Sequence, residues 1–60
     1  MTENANRLMA EADKCAGDAA RIRGFIRMIP KAAVAGELMM VAARLESSSE
    51  ELRQIAGRIQ

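Results

Sequence analysis

Sixty residues with a single cysteine and no histidine hold neither an internal disulfide nor a credible zinc-ligand set. A lone chain of this size buries only about 60% of its unfolded surface, so oligomerisation is the remaining way to support a small core. Nine basic residues against eight acidic ones give a net charge of +1, which excludes a global field drawing the chain to nucleic acid or lipid.

The apolar residues are mostly alanine, methionine, leucine and isoleucine, with one phenylalanine and no tyrosine or tryptophan. These are helix formers. No apolar run alternates with period two, and no Asn-Gly or Asp-Gly turn is present, so the expected fold class is all-α. Met1–Ala10 is polar and lacks the apolar core of a secretory signal. The uncharged run Leu38–Ala43 falls far short of the roughly 20 residues that span a bilayer. A lone thiol suits a reducing compartment, and a cytoplasmic location is expected.

Along the first half, Ala5, Leu8, Ala12, Cys15, Ala19, Ile22, Ile26 and Ile29 recur alternately three and four apart, the a/d seam of one long helix. Pro30 then interrupts, because it lacks an N–H, its ring clashes with the preceding turn, and it pushes Ile29 towards extended geometry. A second seam follows at Val34, Leu38, Val41, Leu45, Ser48, Leu52, Ile55 and Ile59. The spacing therefore predicts an antiparallel helical hairpin in one domain: a helix over about Glu3 to Ile29, a turn over Ile29 to Ala33, and a helix over Val34 to Ile59.

Folding the two seams together sets Ala12 against Leu52, Cys15 against Ser48, Ala19 against Leu45, Ile22 against Val41 and Ile26 against Leu38. Small residues thus face large ones, as close packing wants. Asp18 and Arg44 are placed to pair across the hairpin. On the other flank, Met9, Ala16, Arg23, Ala42, Ser49 and Ala56 widen the seam into a stripe that two helices cannot cover alone. The expectation is a homodimer, or a higher oligomer, forming an antiparallel four-helix bundle. Its core would contain Leu8, Ala12, Cys15, Ala19, Ile22, Ile26, Leu38, Val41, Leu45, Leu52, Ile55 and Ile59. An alternative is three short helices with a break near Ser47, since Ser47–Glu50 and Ser48–Glu51 both have capping-box spacing. Gly17 and Gly24 lie a heptad apart opposite the seam, either as surface glycines or where another helix approaches.

Catalytic chemistry finds no footing. Cys15 and the serines have no histidine to act as base. Glu50 and Glu51 are adjacent and diverge by about 100° on a helix. No phosphate loop or metal-ligand spacing occurs, so a non-enzyme without cofactor or metal is expected. Two candidate surfaces remain near the turn. Phe25, Met28, Met39 and Met40 fall off the seam and suit an adaptable protein-binding surface. Arg23, Arg27 and Lys31, at i, i+4 and i+8, would line a basic stripe for nucleic acid if the first helix reached that far. The pattern disfavours membrane association, because cations interrupt the apolar face instead of lying opposite it.

Chain length, hairpin layout and small-against-large layers resemble the repressor-of-primer type of RNA-binding bundle in architecture, with no shared motif. The tail "AARLESSSEELRQIAGRIQ" resembles the last helix of bacterial chemoreceptor signalling domains. Neither resemblance implies a function for particular residues. The expected function is a small homodimeric adaptor or regulator that binds a partner protein by helix packing. Nucleic-acid binding stands second and membrane-surface association third.

Overall fold

A computed structural model describes residues 2–59 and consists of two helices, α1 (Glu3–Ile26) and α2 (Ala32–Arg58), packed side by side as a hairpin. α1 starts where its sequence provides a cap. The Thr2 side-chain oxygen accepts a hydrogen bond from the Ala5 backbone N–H at 3.1 Å, and Glu3 sits in the first turn, where the helix dipole favours an acid.

α1 stops at Ile26, three residues before the expected end. The cause is Pro30. It has no N–H to give the Ile26 carbonyl, which instead accepts from Ile29 at 3.1 Å, and Phe25 likewise accepts from Met28 at 2.9 Å. These tighter i to i+3 bonds end the α-helical ladder, and the turn occupies residues 27–31 instead of 29–33.

α2 starts two residues earlier than expected, behind Lys31, which supplies no side-chain cap, and no acid occupies the first turn. It then runs without a break through Ser47–Ser49. The capping-box spacings there start no new helix, and the three-helix alternative is not the fold. The unbroken heptad of apolar residues on either side outweighs the local preference of the serines.

The contact between the helices is made of small side chains. Ala5, Ala12 and Ala19 are buried on α1, and Ala42, Ser49 and Ala56 on α2. The Ser49 hydroxyl donates to the Ala12 carbonyl at 2.8 Å, which fixes the register. Carrying that register along the helices sets Ala5 beside Ala56 and Ala19 beside Ala42. The expected pairing of Ala12 with Leu52 and of Ala19 with Leu45 is thus displaced by three residues, nearly one helical turn. Ser48, expected in the core opposite Cys15, is exposed.

The reason is distance. The hairpin spans 46 × 13 × 9 Å between Cα atoms. Allowing about 4.6 Å for the Cα diameter of one helix leaves about 8 Å between the axes, at the close end of the usual 8–10 Å. Rows of alanine and serine permit that approach, and leucines between the helices would prevent it.

Candidate interaction surfaces

Close approach along the small rows pushes the larger apolar residues out of the contact and onto one broad side. At about 100° per residue, Leu8, Cys15 and Ile22 lie about 60° to one side of the α1 row. Leu38, Leu45 and Leu52 lie at the same angle from the α2 row. In an antiparallel pair, equal rotation from the contact line brings both sets to the same broad face. Val41 and Ile55 extend this face on α2.

All of these side chains, with Ile59, are half-buried, and no large side chain of the described residues is fully buried. Ala12 and Ala19 are already covered by the hairpin's own contact. Ile26 continues the α1 small row and is half-buried, level with Ala35.

The opposite broad face is polar and tied across. Arg23 donates to both Glu46 carboxylate oxygens, at 2.9 and 2.6 Å, and Arg53 donates to Asp13 at 2.6 Å. The hydrogen bond from Arg23 lowers the Glu46 carboxyl from its ordinary value, outweighing an opposing effect of desolvation, and the Arg23 charge adds a smaller push in the same direction. The same hydrogen bond raises Arg23. The cross-hairpin bridge expected between Asp18 and Arg44 does not form. Asp18 pairs within α1, with Arg21, as Glu3 does with Arg7 at 3.0 Å. Glu46, Asp13 and Arg53 escape a sequence reading because the register they need is three residues away from the one the large apolar residues suggest.

The candidate surfaces at the turn end are less unified than their spacing implies. Phe25, Met28, Met39 and Met40 are 59%, 79%, 50% and 64% exposed. They ring the end instead of sharing a side: Phe25 flanks the apolar face, Met28 lies in the turn, Met39 lies on the ion-paired face, and Met40 is on the outer edge of α2. Val34, 42% exposed, adds to the ring at the start of α2.

Arg23, Arg27 and Lys31 do not form one helical stripe, because α1 ends before Arg27. Arg23 is engaged by Glu46, while Arg27 and Lys31 belong to the turn and enter no ion pair among the described residues. Gly17 and Gly24 face open space, with nothing within 4 Å of a Cβ added at either. Cys15 is a free, half-buried thiol. Among the described residues, no helix is long and apolar enough to cross a membrane, and no three His, Cys, Asp or Glu side chains gather as a metal site. The chain matches no family model, no curated protein and no solved structure.

Proposed function

We propose that the chain is a small non-enzymatic helical interaction protein. In this reading it is a homodimer that closes its apolar face into a four-helix bundle and binds a partner protein by helix packing at the turn end. One observation carries the reading. The hairpin contacts itself mainly through alanine and serine and leaves Leu8, Ile22, Leu38, Val41, Leu45, Leu52 and Ile55 half-covered along one face. Fully burying such a side chain is worth about 1.5–3 kcal/mol, so covering the exposed remainder yields on the order of 1 kcal/mol for each. A chain this short has few other sources of stability.

Urea unfolding at several chain concentrations tests the dimer. The midpoint rises with concentration if folding and association are coupled. A midpoint independent of concentration contradicts the proposal.

The exposed methionines support the partner-binding part, since flexible thioether side chains adapt to varied apolar surfaces. Proteins retained from native-cell lysate by the wild-type chain are lost on Met39→Lys with Met40→Lys and kept on Arg27→Glu with Lys31→Glu. The reverse pattern, with retained nucleic acid released steeply by salt, favours the second reading. That reading draws its support from the two unpaired cations of the turn.

A further inference from the structure

We infer that the apolar face is covered by a second copy of this chain lying with its turn at the opposite end, α1 against the second copy's α1 and α2 against its α2. The inference rests on the dimer proposed above and adds its orientation. Size fits first. A face of 46 by 13 Å between Cα atoms, enlarged by its side chains, approaches the roughly 800 Å² per partner of a stable interface.

Charge then selects the direction. Dividing the hairpin at mid-height, residues 16–45 of the turn half hold five cations and two acids, a net +3, and the remaining residues hold four cations and six acids, a net −2. Turns at the same end would lay +3 on +3 and −2 on −2. Turns at opposite ends lay each positive half on a negative one, which favours that orientation and suppresses the other.

The edges of the face repeat this selection residue by residue. Along α2 the outer edge reads Glu37, Arg44, Glu51 and Arg58, seven apart and alternating in sign. Reversing the second copy sets Glu37 against Arg58 and Arg44 against Glu51. The same-end arrangement brings α1 of the second copy beside α2 and mixes the signs, with Glu11 opposite Glu51 and Asp18 opposite Arg44. On α1 the acidic row Glu11, Asp18 runs beside the basic row Arg7, Lys14, Arg21, so in the same register a reversed α1 sets Glu11 near Lys14 and Asp18 near Arg7. The apolar residues accept the same reversal in the register those pairs set: half-buried Val41 meets Ile55 of the second copy, and the small Ser48 lies at the twofold.

Met28, exposed in the turn, gives a direct readout. Met28→Cys in a Cys15→Ser background is labelled with a nitroxide, and the distance between labels in the dimer is measured by pulsed dipolar spectroscopy. The expected separation is on the order of 40 Å, from about 1.5 Å of rise per residue along the helices. A separation below about 20 Å, two neighbouring helices with their labels, overturns the orientation and leaves the dimer standing. Loss of any intermolecular distance together with a monomeric mass overturns both. A charge swap supplies the second measurement. Arg44→Glu weakens dimerisation severalfold, and adding Glu51→Arg restores it. Failure of the double variant to recover removes the proposed edge pairing.

Discussion

At Ser49 and Ala12 one hydroxyl-to-carbonyl hydrogen bond between two small buried residues fixes how the helices meet. Ser49→Ala removes one hydrogen bond while keeping the volume, so the loss is expected near 1 kcal/mol. Ala12→Leu forces the axes apart at the same level and is expected to cost about 1–3 kcal/mol or more. Urea midpoints of the two variants check the order, and an equal loss in both would remove the close small-residue contact. Gly17 and Gly24 lie in open space inside α1, so alanine at either position raises stability by up to about 1 kcal/mol. Glu46 supplies a pH test. Its folded carboxyl is held low by Arg23, so the bond contributes above the unfolded carboxylate range and is lost as pH falls through the lowered folded value. Carboxyl NMR of the folded chain should show Glu46 titrating lower in wild type than after Arg23→Gln.

At the scale of the elements, the two helices and their break were legible because Pro30 and the two heptad phases act locally. The end of α1 was misplaced by three residues. The sequence shows the missing N–H but not that the Ile26 carbonyl would be satisfied by Ile29 in a tighter turn. The register was misplaced for a different reason. Large residues dominate a hydrophobic pattern, so the eye pairs leucine rows, whereas two alanine-rich rows a heptad apart pack closest. Ala42, Ser49 and Ala56 were visible as a small, uncharged flank, and the signal missed was that Ala5, Ala12 and Ala19 share their spacing. α2 begins poorly, with Lys31 at its cap and no acid in its first turn. Lys31→Asp replaces an unfavourable cation with a side chain able to accept from the first free N–H groups. Tm should rise by an amount corresponding to about 1 kcal/mol.

The molecule as a whole is a thin two-helix layer with one apolar face and one ion-paired face, and its proposed activity follows from that asymmetry. The ion-paired face closes its charges on itself through Arg23–Glu46 and Arg53–Asp13, while the apolar face has no equivalent closure. The candidate surfaces at the turn were legible only as residue types. Sequence spacing placed Arg23, Arg27 and Lys31 on one stripe, and the early end of α1 separates them. The methionines likewise spread around the end of the hairpin because they occupy different helical angles. Leu45→Ala, at mid-height of the open face, is expected to weaken association chiefly, by about 2–5 kcal/mol if its side chain is fully buried in the dimer. Sedimentation equilibrium of the wild-type chain tests the central claim most directly. The proposed bundle predicts a folded species of twice the 6.5 kDa chain mass, and a cooperatively folded monomer of 6.5 kDa across the concentration range would contradict it.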